Sequence, residues 1–153
     1  MKLVCGLLLC MVGCGSAPEN VVSPQRPIFV DVGLQAGVTI RTVSGTPEKE
    51  HIVECNTGGA ALFDYDSDGD LDIFIVNGSR IGGYEQGQEP RAALYRNDGD
   101  WHFSEVGASA GVNHAGWGMG VSVVDYNADG NPDLYLANYG PNALYHNRGD
   151  GTF

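Results

Sequence analysis

Basic residues are scarce in this sequence. Its 153 residues include 8 Lys and Arg against 19 Asp and Glu, which gives a formal net charge of -11 at pH 7. Because a surface that binds nucleic acid must neutralise phosphates, this balance argues against nucleic acid as a partner. Cysteine is also sparse, since three of the four cysteines lie within residues 1–14 and only Cys55 follows. One remaining cysteine excludes an intramolecular disulfide framework.

The sequence also lacks an apolar run long enough to cross a membrane as a helix, which takes about 20 residues. The short run at residues 3–12 follows Lys2 and ends before Gly13, Cys14 and Gly15, as in a signal peptide. This end resembles the bacterial lipoprotein signal, in which a small residue precedes the lipidated cysteine, and it predicts lipidation of Cys14. Ordinary secretion, with cleavage after Ala17, is the alternative. Both interpretations export the protein, either lipid-anchored in the bacterial cell envelope or secreted.

An internal repeat follows. Residues 29–38 match residues 103–112 in a Phe…Ala-Gly-Val pattern, and residues 93–97 match residues 143–147 in the pattern Ala-Leu-Tyr-x-Asn. Self-similarity on this scale predicts a repeat architecture. The predicted organisation is a signal peptide at 1–14, a flexible tether at 15–26, and a repeat region at 27–153 with units at about 27–103 and 103–153.

Two acidic motifs organise these units. Each has acidic or amide side chains at positions one, three, five, seven and nine, a glycine at position six, and strand-like apolar residues on both sides. The side chains of the first motif are Asp64, Asp66, Asp68, Asp70 and Asp72. Those of the second are Asp125, Asn127, Asp129, Asn131 and Asp133. Because carboxylates this close repel one another, the motif favours a bound cation.

Calcium is the expected cation, because it is a hard ion that takes about six to eight oxygen ligands in a flexible loop. Position seven is expected to offer its backbone carbonyl, while Gly69 and Gly130 allow the sharp turn. An EF-hand needs a bidentate Glu at position twelve and flanking helices, but Ile75 and Leu136 stand there and strands flank both loops. The sequence therefore predicts about two structural calcium ions outside an EF-hand. An acidic turn without metal is the alternative.

The strand after each motif is apolar on both faces, which predicts strands covered on both sides, as in neighbouring blades of a β-propeller. A two-layer β-sandwich is the alternative, but it does not explain a repeated unit that carries a loop. Trp101 and Trp117 are expected to pack inside the blades. Two blades cannot close a ring, so we expect a fragment of a longer chain or completion by association.

The segment from Gly58 to Gly78, together with residues 117–130, resembles the FG-GAP/VCBS repeats of integrin-α-like β-propellers. With residues 44–54 it also resembles the N-terminal part of cartilage-acidic-protein-like (ASPIC/UnbV) proteins, whose C-terminal ASPIC/UnbV segment is absent here. The resemblance implies an all-β fold of about two partial, unclosed propeller blades, with calcium in the loops.

Two functions are weighed for such a chain. The first is an exported structural or interaction module that binds a protein or glycan and has no catalysis of its own, with membrane contact only through the lipid anchor. The alternative is the non-catalytic N-terminal portion of an exported propeller enzyme, whose active site lies outside this chain. In either case further blades of a longer chain are candidate partners.

Overall fold

The computed structural model describes residues 29–153. The predicted signal peptide, Cys14 and the tether at 15–26 lie outside the described residues. The chain divides into two units, Met1–Val30 and Asp31–Phe153, and every element described below lies in the second.

In the described part of the chain, seven short strands form two antiparallel sheets. The first sheet has the order β1-β2-β3-β4 and the second the order β5-β6-β7. The strands are β1 (Ala60–Phe63), β2 (Asp72–Ile75), β3 (Ala93–Asn97), β4 (Phe103–Glu105), β5 (Gly118–Val124), β6 (Asp133–Asn138) and β7 (Ala143–Tyr145). The described helices are a 3-10 helix (Ile52–Cys55) and α1 (Gly107–Ala110), each one turn long. The predicted all-β class is confirmed, and the two sheets form about two blades that do not close into a ring.

Each acidic motif forms the loop of a β-hairpin. Phe63 pairs with Asp72 at the end of the first hairpin, and Val124 pairs with Asp133 at the end of the second. The loop backbones match closely: Gly69 has a φ of 95° and its counterpart Gly130 a φ of 93°. Because residues other than glycine are strained at such φ angles, the turn requires the glycine at position six.

The two sheets pack through opposite faces. Since side chains alternate along a strand, each sheet has two faces. We call the face of the first sheet that lies in the core its front face, and it consists of Ala61, Phe63, Phe74, Val76, Ala92 and Leu94. The second sheet packs against it with the opposite, back face, which consists of Val121, Val123, Leu134, Leu136, Ala143 and Tyr145. The repeats are therefore stacked front to back, as neighbouring blades are.

The front face of the second sheet is exposed. Tyr135 stands where the first repeat has Phe74, and Leu144 where it has Leu94. Phe74 and Leu94 are both fully buried, whereas Tyr135 is 40% and Leu144 49% exposed. The predicted coverage of both strand faces thus holds for β3 of the first blade, where Leu94 on the front and Tyr95 on the back are both buried, but not for the front face of the second blade.

Each repeat is tied back to its own beginning. The Phe103 backbone N–H donates to the Ala36 carbonyl at 2.8 Å, and the Phe153 N–H donates to the Ala110 carbonyl at 2.9 Å. A Cβ added at Gly37 would lie 2.3 Å from the Phe103 carbonyl oxygen. This close approach leaves no room for a side chain at Gly37, which explains the glycine after Ala36.

One packing expectation is wrong. Trp117 is 7% exposed and lies edge-on to Tyr139, as expected of a tryptophan inside a blade. Trp101 is 76% exposed, because it lies at the tip of the turn between β3 and β4 with a φ of 60°. Its indole lines a cleft beside the first acidic loop, together with Gly69 and Asp70.

Candidate metal centre

Backbone N–H groups orient the first carboxylate of the first loop. The Asp64 carboxylate accepts from the Asp68 N–H at 3.1 Å and from the Gly69 N–H at 3.0 Å. The Asp68 carboxylate accepts from the Asp70 N–H at 2.9 Å. These bonds fold the loop back over its own first residue, so its shape follows from the Asp and Gly spacing.

Asp72 joins the loop to the sheet. Its buried carboxylate accepts from the Tyr65 N–H at 2.9 Å and from the Asn97 N–H at 2.8 Å. Burial raises the pKa of Asp72, while the two backbone donors act in the opposite direction. Asp72 therefore fixes the start of the loop against strand β3.

Three carboxylates converge in the first loop. Asp64, Asp66 and Asp72 each place an oxygen within 4.8 Å of the others. The Asp66 Oδ1 atom is buried and has no hydrogen-bond partner among the described residues. Desolvation raises the pKa of Asp66, and the neighbouring charges of Asp68 and Asp64 raise it further.

This arrangement fits a hard cation. A buried carboxylate oxygen without a donor is costly unless a charge satisfies it. The converging donors are all carboxylate oxygens, the ligand type that calcium and magnesium prefer. Asp66 also borders an open cleft of about 420 Å³.

The other predicted ligands of the first loop lie outside this triad. The Asp68 and Asp70 side chains are exposed. The expectation that Asp70 offers its backbone carbonyl stays a prediction. The structure thus brings together positions one, three and nine, and leaves the side chains of positions five and seven at the surface.

The second loop repeats the backbone bonds of the first. The Asp125 carboxylate accepts from the Asp129 N–H at 3.1 Å and from the Gly130 N–H at 2.9 Å. Asp129 in turn accepts from the Asn131 N–H at 2.8 Å.

The last carboxylate of the second loop also matches its counterpart in the first. The buried Asp133 carboxylate accepts from the backbone N–H groups of Tyr126 and Asn147. The two loops therefore share one backbone design.

The second loop differs in its interior. No second triad of carboxylate, thiolate or imidazole donors as tight as that of the first loop occurs between residues 29 and 153. Position three is Asn127, whose amide donates to the Asp129 carboxylate at 2.8 Å. Hydrogen bonds from Asn131 and Asn127 lower the pKa of Asp129.

Two residues that position the loops were missed by the sequence reasoning. Asn97 and Asn147 close the Leu-Tyr-x-Asn pattern, and both are buried. The Asn97 side chain donates to the Leu71 carbonyl at 3.2 Å, at the end of the first loop. The Asn147 side chain donates to the Tyr65 carbonyl in the first loop at 2.8 Å, so it links the two repeats. Their recurrence in both repeats was the available signal.

Comparison with known families agrees with this geometry. The model of the FG-GAP-like repeat matches residues 64–136 and again residues 125–153, which together cover more than half of the chain. The chain belongs to the FG-GAP-like repeat family. Repeats of this family are typical of extracellular proteins, often bind calcium, and suggest a structural or interaction module.

A particular relative supports the second resemblance. Cartilage acidic protein 1 of Homo sapiens is 48% identical to this chain over 50 residues. That segment is 32% of this chain and 8% of the human protein, so the chain spans a small part of the relative it matches.

In residues 29–153 no helix combines the length and apolar character needed to cross a membrane.

Proposed function

We propose that this chain is an exported, calcium-binding interaction module with no catalysis of its own. The observation that carries the proposal is the buried Asp66 Oδ1 atom, which has no hydrogen-bond donor within residues 29–153 and lies in a triad with Asp64 and Asp72. A cation there would satisfy that oxygen and neutralise part of the repulsion among the three carboxylates.

The proposed sites are the two hairpin loops. The first ion would be held by the acidic residues of the first loop, Asp64, Asp66, Asp68, Asp70 and Asp72. The second would be held by Asp125, Asn127, Asp129, Asn131 and Asp133. When bound, calcium supplies positive charge that stabilises the folded loop. Since Asp72 also accepts from the end of β3 and Asp133 from the segment just after β7, the ions would brace the blades.

The interaction role rests on the family and on the loop surface. Loops that connect strands carry recognition in repeat proteins, and here they carry most of the exposed acidic side chains. A protein or glycan partner fits such a surface, whereas nucleic acid does not fit a chain with a net charge of -11. Export follows from the signal peptide predicted at 1–14, with Cys14 as the proposed lipid attachment site.

A thermal melt of the full chain in calcium and in excess chelator tests the metal proposal. We expect calcium to raise the midpoint, because a ligand that binds only the folded state stabilises it by mass action. Magnesium should raise it much less, since it demands near-ideal octahedral geometry. Asp66→Asn should remove most of the calcium effect, while Asp100→Asn, at an exposed turn outside both loops, should keep it. A cooperative melt that is indifferent to calcium would contradict the proposal.

A further inference from the structure

We infer that the two loops bind calcium with unequal affinity, and that the imidazole of His146 and the amide of Asn127 weaken the second site. This inference rests on the proposed function, because it takes both loops as calcium sites. It concerns Asn127, which lies in the second loop, and His146, which contacts that loop from the segment after β7.

His146 occupies the position that Arg96 holds in the first repeat. The Arg96 side chain donates from its Nε atom to Asp98 at 2.8 Å, two residues further along, and it lines the cleft that Asp66 borders. In the second repeat the residue at that point is Arg148, so His146 has no acidic neighbour there. This exchange of Asp for Arg removes from His146 the acidic partner that Arg96 has in the first repeat.

His146 turns instead to the carboxylates of its own loop. Its Nδ1 atom lies 3.1 Å from Asp133 Oδ1, and its Nε2 atom lies 3.8 Å from Asp129 Oδ2. The ring also stands edge-on to Tyr126, with the ring centroids 6.0 Å apart. The imidazole thus lies against two of the proposed ligands and is held there by an aromatic contact.

Asn127 satisfies the loop from the other side. Its Nδ2 atom donates to Asp129 Oδ2 at 2.8 Å, and its Oδ1 atom accepts from the Asp129 N–H at 3.1 Å. Both ends of the amide therefore have partners within the loop. The equivalent residue in the first loop is Asp66, whose Oδ1 atom has none.

An ion that enters the second loop must displace these contacts, whereas the first loop offers an oxygen that already lacks a partner. Loss of one hydrogen bond to a charged group is enough to change an affinity by about tenfold or more. The second loop also has fewer acidic ligands, and a lower ligand charge weakens calcium binding. We therefore expect the second site to be weaker by about tenfold or more.

Calorimetric titration of the full chain with calcium chloride tests the inference. The wild-type protein should bind in two steps of different affinity. His146→Ala should tighten the weak step about tenfold and leave the tight step unchanged. His102→Ala, which removes an exposed imidazole at the turn after β3, serves as the matched control and should change neither step.

Two further measurements assign the steps and protect against a variant that fails to fold. Asp66→Asn should weaken the tight step and leave the weak step in place. Trp101 lines a cleft with Gly69 and Asp70, so its fluorescence should change with the tight step of the wild-type protein. Trp101→Phe should remove that signal without removing either step.

The outcomes separate the two claims. Two steps of equal affinity, or a weak step that His146→Ala leaves unchanged, would overturn the inference and leave calcium binding intact. A tight step that survives Asp66→Asn would overturn the assignment of the tighter site to the first loop. Absence of any calcium binding would overturn the proposed function and, with it, this inference.

Discussion

Replacement of Asn147 by alanine is expected to destabilise the fold more than the same change at Asn97. The two asparagines hold equivalent positions, and each makes the same pair of contacts within its own repeat. Asn147 donates to the Pro132 carbonyl at 3.2 Å and accepts from the Gly149 N–H at 3.0 Å. Asn97 donates to a loop carbonyl at 3.2 Å and accepts from a turn N–H at 3.0 Å.

The difference between them is one hydrogen bond across the repeats. Only Asn147 also donates to a carbonyl of the other repeat, that of Tyr65, at 2.8 Å in a buried setting. Loss of the shared contacts should cost about 1–2 kcal/mol at either site. The Asn147 variant also leaves the buried Tyr65 carbonyl without that donor, which adds about 1–3 kcal/mol.

Urea unfolding in saturating calcium measures both free energies of unfolding. The dependence on urea should be the same for the two variants, because neither changes the surface exposed on unfolding to a large extent. Both variants keep the backbone N–H that donates to the loop carboxylate, so calcium affinity should change little. Equal losses of stability, within about 0.5 kcal/mol, would refute the role of Asn147 in joining the repeats.

Two other variants test the packing of the core and the titration of His114. Leu136→Ala should cost about 2–5 kcal/mol of unfolding free energy, because Leu136 is fully buried between the sheets, whereas Leu144→Ala on the exposed front face should cost less than about 1 kcal/mol. Burial, reinforced by the charge of Arg91, lowers the pKa of His114, so the folded state favours the neutral imidazole. The unfolded chain takes up a proton at His114 below about pH 6.5, and the free energy of unfolding should therefore fall as the pH drops from there toward the folded pKa. Unfolding free energies at about pH 7.5 and 5.5 should therefore differ less in His114→Gln than in the wild type, and the exposed His102→Gln should keep the wild-type difference; an unchanged slope in His114→Gln would contradict this account.

The loops and the repeat could be predicted because their signals are local. The spacing of Asp and Gly within nine residues specifies which backbone N–H groups can reach which carboxylates, and both loops follow it. The continuous apolar residues after each loop predicted strands covered on both faces. What this pattern could not specify is which face of each strand the neighbouring blade covers, since Phe74 and Tyr135 are equivalent in sequence but not in burial.

Contacts between distant residues were not predictable in the same way. Glu54 lies outside the repeated motifs, yet it is 1% exposed and accepts from the N–H groups of Thr46 and His51. The contact of His146 with its loop depends on a charge exchanged two residues away, at Arg148. Neither arrangement has a periodic or motif signal, because each depends on groups that only the tertiary fold brings together.

Front-to-back stacking has a consequence for solubility. Each added repeat of this kind covers one front face and presents another of the same type, as the second repeat does with Tyr135 and Leu144. The number of buried interfaces grows with the number of repeats, while the open apolar area stays constant. A longer stack therefore gains stability from each new interface, but its open apolar face still favours association with other molecules. Only the meeting of the last front face with the first back face, in a ring, removes the open area.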